Sequence, residues 1–328
     1  MTAPHIYVTR SLPGNSLSAL HSNELPAVES PPDTPEPPSR AELLSGVAGA
    51  EAVLSMVTDR IDAEFLEAAG PQLKIVANMG VGYDNIDLHA AAQRAVTITN
   101  TPGVLDDAVA DLTMGLLLGS VRRIAEADRF IRSGTAWTWG PRDFVGLDVS
   151  AGAVLGIVGL GRIGMAVARR AQAFGMRILA TGSRATSEEA RALGVVPSTL
   201  DDLLPHIDVL SLHCPLDPST RHLISAAQMQ SMRPGSWLIN TARGPLVDEE
   251  ALADALENGH LAGAGLDVHE FEPQVNERLM ALDQVVLLPH IGSAGDATRH
   301  RMATLAARNI AEVLAGRGPL TPVALPGA

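Results

Sequence analysis

The chain has 328 residues, about two domains on the usual size range, and its 46% hydrophobic content is enough to form two cores. This composition excludes a disordered or fibrous protein. The formal net charge of -13 at pH 7 argues against a general nucleic-acid or anionic-membrane surface, because both partners require accumulated positive charge.

The first hundred residues alternate short apolar runs with helical stretches. The apolar runs predict buried parallel strands at His5–Thr9, Ala52–Met56, Lys74–Asn78 and Val96–Thr99. Between the first two, the segment Pro31–Pro38 contains too many prolines for a helix or a central strand, so we predict a surface loop. This pattern indicates a small α/β unit.

The next segment connects this unit to a second one. Val104–Ile124 has helical apolar periodicity and follows Pro102-Gly103, which predicts a helix that crosses from the first unit to the second. A loop with Trp137 and Trp139 then leads into repeated strands and helices that continue to about Leu288.

The last predicted helix, about Gly295–Leu314, comes after the last strand of the second unit and is expected to pack on the first. We therefore predict an α/β fold with two Rossmann-like, doubly wound parallel-sheet domains, of which the first is discontinuous. The predicted substrate-binding domain comprises residues 1–101 and 292–328, and the dinucleotide-binding domain comprises residues 102–291.

A glycine motif opens the second unit. The strand Ala153–Val158 is followed by Gly159-Leu160-Gly161-Arg162-Ile163-Gly164, and the helix continues over Met165–Phe174. This spacing between a strand and a helix is typical of dinucleotide binding, because the three glycines allow a tight turn, close approach of a pyrophosphate and close helix–strand packing, in that order. Arg162 and Ile163 lie at the helix N-terminus, whose N–H groups and positive dipole end attract phosphate. A glycine turn without a ligand is the structural alternative.

The end of the next strand predicts which dinucleotide binds. An NAD site usually has Asp or Glu there to hold the ribose 2'-hydroxyl, but this chain has Thr181-Gly182-Ser183-Arg184 and no carboxylate before Glu188. Ser183 can donate to a 2'-phosphate and Arg184 can pair with its charge. The sequence therefore favours NADP(H), with NAD(H) as the weaker alternative and an exposed loop arginine without a ligand as the structural one.

Three further segments follow predicted strands, where ligands of open α/β sheets bind. They are Asn240–Pro245, Gly265–Pro273 and Leu288–Ser293. Reduction of a keto acid needs a cation for the carboxylate, a proton for the carbonyl oxygen and an aligned hydride, and these segments contain residues of the required types.

These segments, together with Val81–Asp87, Asp107–Leu112 and the glycine motif, resemble the D-isomer-specific 2-hydroxyacid dehydrogenases. Within that family the chain is similar to the NADP-preferring glyoxylate/hydroxypyruvate reductases, and the resemblance covers nearly the whole chain. It implies a homodimer that acts on a small 2-keto or 2-hydroxy acid. For Trp137 and Trp139, packing at the dimer interface is the simpler alternative to a tryptophan that enters the partner's active site.

The resemblance also implies roles for individual residues. Arg243 binds the substrate carboxylate and carbonyl, His290 is the acid/base, and Glu272 hydrogen-bonds and orients that imidazole. The backbone at Val81 and Gly82 also holds the carboxylate.

Further residues are implied to line the cofactor. Asp267 lies near the nicotinamide carboxamide, and backbone around Cys214, Pro215 and Thr241 contacts the dinucleotide. For Asp267 the alternative is a buried acid that only ties down a loop.

The structural alternatives for the catalytic residues are an ion pair for Arg243, a cap for Glu272 and a core histidine for His290. His269, Glu270 and Glu272 lack a metal-ligand spacing, so we predict no metal.

The single cysteine, Cys214, excludes an intramolecular disulfide, and no activating residues adjoin it, so we interpret it as structural. The N-terminus lacks the pattern of an export signal, and no stretch approaches the roughly 20 apolar residues of a membrane span. We therefore expect a cytoplasmic protein without membrane or nucleic-acid partners.

The sequence thus predicts an NADPH-dependent reductase of small 2-keto acids such as glyoxylate and hydroxypyruvate, with His290 as proton donor. Two alternatives stay open. One is a dinucleotide sensor that keeps the fold for binding, as in the C-terminal-binding-protein corepressors. The other is a D-2-hydroxyacid dehydrogenase for a different substrate, such as 2-ketogluconate.

Overall fold

The computed structural model describes residues 5–12, 14–20, 25–32 and 36–327. Its strands are β1 (His5–Val8), β2 (Ala27–Glu29), β3 (Ala50–Met56), β4 (Ile75–Met79), β5 (Thr97–Thr99), β6 (Val154–Val158), β7 (Arg177–Thr181), β8 (Val195–Pro197), β9 (Val209–Leu212), β10 (Ser236–Asn240), β11 (Leu261–Leu266) and β12 (Val285–Leu287).

The helices are α1 (Arg40–Gly46), α2 (Ala63–Ala69), α3 (Leu88–Gln93), α4 (Asp106–Val121), α5 (Ile124–Arg132), α6 (Arg162–Ala173), α7 (Glu188–Ala192), α8 (Leu200–Leu203), α9 (Ala226–Ser231), α10 (Glu249–Glu257), α11 (Glu277–Met280) and α12 (Asp296–Leu314). Short 3-10 turns occur at Ser18–Leu20, Val149–Ala151, Leu204–His206 and Gly244–Leu246. In the part of the chain that the structure describes, no helix is both long and apolar enough to span a membrane.

The chain divides into two compact units, Met1–Leu105 with Ala294–Ala328 and Asp106–Ser293. The first unit is therefore discontinuous in sequence. Its strands are parallel and lie in the order β2-β1-β3-β4-β5. Val53 and Val76 belong to a core that includes Phe65 of α2, while α12 packs on β3 and β4.

The second unit contains a parallel sheet in the order β12-β11-β10-β9-β6-β7-β8. Successive side chains of a strand point to opposite faces, and β6 follows this rule. Leu155 and Ile157 pack in one hydrophobic cluster, and Val154 and Val158 pack in another. The prediction of two parallel-sheet α/β domains is confirmed.

Most helix starts are set by a polar residue whose side chain accepts a backbone N–H, which satisfies one of the unpaired donors of the first turn. These residues are Ser39, Asp62, Asp87, Ser187, Thr199, Asp248 and Asn276. By contrast, α6 begins after Gly161, where no side-chain cap is formed within the described residues.

The helix predicted over Val104–Ile124 is present but shorter, and it does not cross from the first unit to the second. Helix α4 begins at Asp106, within the second unit, and ends at Val121, and Arg123 adopts a left-handed φ of 54° before α5 starts. The Arg123 guanidinium bonds the Glu126 carboxylate at 2.6 Å and lies over the Phe144 ring, which stabilises the break. The sequence did not predict this interruption, because no proline marks the point where α4 ends.

Two details of the first unit also differ from the sequence pattern. The edge strand β2 was not predicted, because three residues are too few to show alternation. Of the proline-rich segment Pro31–Pro38, residues 33–35 lie outside the described part, and the rest forms neither helix nor strand.

Candidate active site

The predicted functional segments of the second unit start at one edge of its sheet. The last residues of neighbouring strands are paired in register in the row Thr181, Val158, Leu212, Asn240, Leu266 and Leu287. The loops that follow these strands therefore all begin at the same edge of the sheet. This edge carries the carboxyl ends of the strands, where open α/β sheets bind ligands.

The glycine loop after β6 is shaped by close backbone contacts. Gly159 has a φ of +95°, and a Cβ there would lie 2.5 Å from the backbone nitrogen of Cys214. A Cβ on Gly164 would collide with the carbonyl oxygen of Gly159. Glycine is thus required at both positions, by the turn and by packing of α6 against the loop.

Gly161 is different, because nothing in the described chain lies within 4 Å of the position that its Cβ would occupy. The space is next to the uncapped start of α6, where Arg162 and Ile163 are the first helical residues. An open glycine beside free helix N–H groups is the arrangement that a pyrophosphate needs. The loop therefore fits a dinucleotide.

The loop after β7 holds the predicted phosphate-reading residues. Ser183 is exposed, and the Arg184 guanidinium donates to the Glu189 carboxylate at 2.7 Å. The Arg169 guanidinium lies 3.9 Å from the same carboxylate. Sequence reasoning missed Glu189, which is five residues from Arg184, outside the i+3 and i+4 pairs that a helical pattern reveals.

The loops after β9 and β10 lie next in the sheet. Burial raises the pKa of the Cys214 thiol to about 11, which agrees with a structural role and not with a nucleophile. The Pro215 carbonyl accepts from the Thr220 hydroxyl at 2.9 Å. The Thr241 hydroxyl is 2.8 Å from that of Thr113, so its side chain is engaged within the unit.

Arg243 extends from a loop that its own backbone stabilises. The Asn240 side chain donates to the Arg243 carbonyl at 2.8 Å and accepts from the Ala242 N–H at 3.0 Å. A side chain on Gly244 would collide with the backbone of His269. This glycine therefore brings the arginine loop against the segment that carries Glu272.

Asp267 follows β11 and is 1% exposed. Its carboxylate accepts the N–H groups of Ile291 at 2.7 Å and Gly292 at 2.8 Å, and its carbonyl accepts that of His290 at 2.8 Å. Burial raises the pKa of this carboxyl against these hydrogen bonds. Asp267 fixes the His290 loop, and its contact with a nicotinamide carboxamide stays a prediction.

His290 and Glu272 are brought together. The His290 Nδ1 lies 3.0 Å from Glu272 Oε2, and the other carboxylate oxygen accepts the His269 N–H at 3.0 Å. His290 has a left-handed φ of 55°, a conformation that is uncommon outside glycine. About a third of each side chain is exposed, so the pair remains accessible.

The pair is electrostatically matched. Burial by itself would raise the pKa of Glu272, but the hydrogen bond from His290 and the charge of that imidazolium outweigh burial and hold this pKa below its usual value. The carboxylate therefore stays ionised at neutral pH and binds one imidazole nitrogen. The other nitrogen, Nε2, is left for proton exchange.

Val81 and Gly82 lie in the first unit, in the loop after β4. Their carbonyl oxygens accept the side-chain amides of Asn100 and Asn78, both at 2.8 Å. Neither asparagine was predicted to matter. The available signal was an asparagine at or just beyond the end of an otherwise apolar strand, where a buried amide must find partners.

Among the described residues, no group of three or more His, Cys, Asp or Glu side chains is placed to hold a metal ion. The structure thus brings Glu272, His290 and Asp267 together, and places the glycine loop, Ser183, Arg184, Cys214, Thr241 and Arg243 along the same sheet edge.

Known proteins resemble the chain over most of its length. A family model described as the NAD-binding domain of D-isomer specific 2-hydroxyacid dehydrogenases matches residues 114–292. A glyoxylate reductase from Thermococcus onnurineus (strain NA1) is 47% identical over 326 residues, covering 98% of this chain and 96% of that protein.

Two solved structures extend this likeness. A protein from Thermus thermophilus is similar with a TM-score of 0.88 and 46% identity, covering 98% of this chain and 100% of its own. The NADPH-dependent glyoxylate/hydroxypyruvate reductase from Sinorhizobium meliloti, in complex with NADP and malonate, is similar with a TM-score of 0.83 and 35% identity, covering 98% of this chain and 97% of its own.

Proposed function

This chain belongs to the D-isomer specific 2-hydroxyacid dehydrogenase family and is an NAD(P)-dependent dehydrogenase, and we propose that it reduces glyoxylate and hydroxypyruvate to their 2-hydroxy acids with NADPH. The observation that carries this proposal is the 3.0 Å pair of Glu272 and His290 on the sheet edge that also carries the glycine loop. That pair provides acid/base chemistry beside a dinucleotide site.

The reduced dinucleotide, when bound, supplies the hydride that adds to C2 of the keto acid. Arg243 binds the substrate carboxylate and polarises the carbonyl through its planar guanidinium. His290 enters protonated and gives its Nε2 proton to the carbonyl oxygen, while Glu272 holds Nδ1 and stabilises the imidazolium. In the reverse direction, neutral His290 accepts the hydroxyl proton.

The loop after β7 supports the proposed preference for NADPH over NADH. No carboxylate occupies the positions directly after Thr181, and Ser183 and Arg184 offer a hydroxyl and a cation. The similar enzyme from Sinorhizobium meliloti is NADPH-dependent. NAD(H) is the weaker cofactor in this proposal, because the 2'-phosphate gives NADPH one additional charged contact.

Several assigned contacts belong to the same proposal. The glycine loop from Gly159 to Gly164 would hold the pyrophosphate, and Asp267 would lie near the nicotinamide carboxamide. Backbone at Cys214, Pro215 and Thr241 would line the dinucleotide. In the first unit, N–H groups of Val81 and Gly82 bind the substrate carboxylate.

We also propose a homodimer formed through an apolar surface of the second unit. Helix α5 buries no side chain, and the surface comprises residues that are each more than half exposed: Ile124, Ile131, Trp137, Trp139 and Val145. Large apolar side chains that are left exposed mark an interaction site where they form one patch. Trp137 and Trp139 are then interface residues. A cytoplasmic location stays a prediction from the single cysteine.

The proposed reaction is tested by a kinetic panel of glyoxylate, hydroxypyruvate, pyruvate and 2-ketogluconate with NADPH and with NADH. We expect the highest kcat/KM for glyoxylate or hydroxypyruvate with NADPH. A preference for 2-ketogluconate would reassign the substrate. Dinucleotide binding without turnover of any of the four would favour a sensor, and light scattering of the same sample measures the oligomeric state.

A further inference from the structure

Three consecutive carbonyl groups of the loop after β4 are held by donors from β4 itself and from the residues after β5. The hydrogen bonds join Thr101 N–H to Gly80 at 2.9 Å, Asn100 Nδ2 to Val81 at 2.8 Å and Asn78 Nδ2 to Gly82 at 2.8 Å. All three belong to the first unit. The loop conformation is therefore set by partners that are outside the loop.

This arrangement determines where the N–H groups of the loop point. In a trans peptide the carbonyl of one residue and the N–H of the next lie on opposite sides of one rigid plane. Because the three carbonyls face their donors, the N–H groups of Val81, Gly82 and Tyr83 face the other way. Within the described residues, none of these three groups donates a hydrogen bond. Free N–H groups that face the same side attract an anion there.

The amide of Asn78 has only one possible orientation. This side chain is fully buried, and its Oδ1 accepts from the Ser55 hydroxyl at 3.3 Å and from Asn85 Nδ2 at 3.4 Å. With the oxygen engaged by two donors, the Nδ2 is directed to the Gly82 carbonyl. A buried amide with this many partners is rigid, so it fixes the plane of the Gly82–Tyr83 peptide.

Asn100 is anchored by the C-terminal segment. The Thr321 hydroxyl donates to the Asn100 carbonyl at 2.6 Å, and the Asn100 N–H donates to the Thr321 carbonyl at 3.3 Å. Asn309 of α12, which is fully buried, donates to the Thr321 hydroxyl at 2.9 Å and accepts the Thr321 N–H at 3.0 Å. The chain of bonds runs from α12 through Thr321 and Asn100 to the carbonyl of Val81.

We propose that Asn78 and Asn100 are positioning residues for recognition of the substrate carboxylate, and that Tyr83 N–H is a third backbone donor beside Val81 and Gly82. The proposal rests on the proposed function of this loop. Glycine adopts positive and negative φ with similar ease, so the Val81–Gly82 peptide rotates readily when it is not held. A rotated peptide presents its carbonyl to the carboxylate, and attraction becomes repulsion.

The test replaces Asn100 with alanine in the full-length enzyme. Losing one hydrogen bond to a charged group corresponds to an increase in KM for the keto acid of about ten- to a hundredfold. The kcat should change little, because the contact is made equally in the ground and transition states. The Kd for NADPH should be unchanged, since its loop lies in the second unit.

Thr99→Val is the matched control. Thr99 is buried one residue before Asn100, its hydroxyl has no partner among the described residues, and valine has almost the same shape. Its KM should equal that of the wild type. Thr321→Val removes only the hydroxyl that anchors Asn100, so it should also raise KM, but by a smaller factor than Asn100→Ala. This variant still tests the proposal if Asn100→Ala does not fold.

A direct measurement follows the amide resonances of Val81, Gly82 and Tyr83 during titration with oxamate, an analogue of 2-keto acids. All three should shift in the wild type and in Thr99→Val, and the Gly82 shift should be lost in Asn100→Ala. An unchanged KM in Asn100→Ala, or an equal loss of kcat and NADPH affinity, would overturn the proposal. Wild-type enzyme without keto-acid turnover would instead defeat the proposed function, while the oxamate titration would still test the loop.

Discussion

Two loops of the molecule have free backbone N–H groups that we propose bind an anion, and the two loops are stabilised in different ways. In residues 159–164 the direction of the N–H groups comes from helix α6, and glycines occur where backbones touch. In residues 80–83 there is no helix, and side-chain amides of Asn78 and Asn100 hold the peptide planes. The conformation of the 159–164 loop depends on residues that are close in sequence, and that of the 80–83 loop depends on residues that are far apart in sequence.

The difference has a functional consequence. A helix N-terminus binds any phosphate that fits the open glycine, because its dipole and donors are part of the backbone. A loop held by side chains has donors in one fixed arrangement, which suits a small carboxylate and loses its function when one amide is removed. We therefore expect the two loops to respond differently to substitution.

Among the predictions that follow from this comparison, the largest effect is expected for Arg243, which distinguishes side-chain recognition of the carboxylate from backbone recognition. Arg243→Lys keeps the charge but loses the planar fork, so kcat/KM for glyoxylate should fall about ten- to a hundredfold. Steady-state kinetics measures this change, and the Kd for NADPH serves as the control. Near-normal kinetics would mean that the 80–83 loop and generic positive charge are sufficient.

Alanine substitutions at two glycines of the 159–164 loop distinguish a glycine needed for folding from a glycine needed for cofactor binding. Gly159→Ala forces a side chain into a left-handed backbone against Cys214, so stability should fall by about 1–3 kcal/mol and NADPH affinity should fall with it. Gly161→Ala enters open space, so NADPH affinity should fall while the unfolding free energy stays within about 0.5 kcal/mol.

Urea unfolding and NADPH titration of both glycine variants provide the measurements. Equal loss of stability in the two variants would contradict the distinction. Gly161→Ala with wild-type NADPH affinity would show that the pyrophosphate does not approach this residue.

Cofactor choice should change by about tenfold or more when the loop after β7 is altered. Ser183→Asp with Arg184→Ala places a carboxylate where the 2'-phosphate is expected and removes its cation, so the ratio of kcat/KM for NADPH to that for NADH should fall. Glu189→Gln keeps Arg184 and removes the carboxylate that now holds it at 2.7 Å, so this ratio should rise. An unchanged ratio in the double variant would assign phosphate recognition to other residues.

The smallest expected effect is a displacement of the pH profile. Reduction requires protonated His290, so its rate should fall as pH rises. The hydrogen bond and charge of His290 hold the pKa of Glu272 below its usual value, so this carboxylate is ionised at neutral pH and stabilises the imidazolium. Glu272→Gln removes this charge, and the falling limb of kcat/KM should move to lower pH. A limb at the original pH would show that Glu272 does not influence proton donation.

The same difference determines which parts of the fold and the site could be predicted from the sequence. The glycine loop, the strands beside it and the segments carrying Arg243, Glu272 and His290 are short motifs at strand ends, so their placement on one sheet edge follows from local pattern and the parallel fold. The family resemblance supplied roles that geometry alone does not give.

Other features depend on contacts between distant or irregularly spaced residues. The partners of the 80–83 loop include Asn100, whose own anchor, Thr321, lies more than two hundred positions away. The break at Arg123 depends on an ion pair and on the Phe144 ring. The edge strand β2 has three residues and exposed ends, so it has no hydrophobic pattern to recognise.

The most direct test of the central claim, hydride transfer to C2 of a 2-keto acid with proton donation from His290, follows the hydride itself. Hydroxypyruvate is reduced with NADPH carrying two deuterium atoms at C4, and the product is analysed by mass spectrometry and chiral chromatography.

We expect D-glycerate with one deuterium on carbon. With His290→Gln the same product should form about 10²–10⁴ times more slowly, while exposed His89→Gln should react at the wild-type rate. Product without deuterium, L-glycerate, or an undiminished rate in His290→Gln would contradict the account.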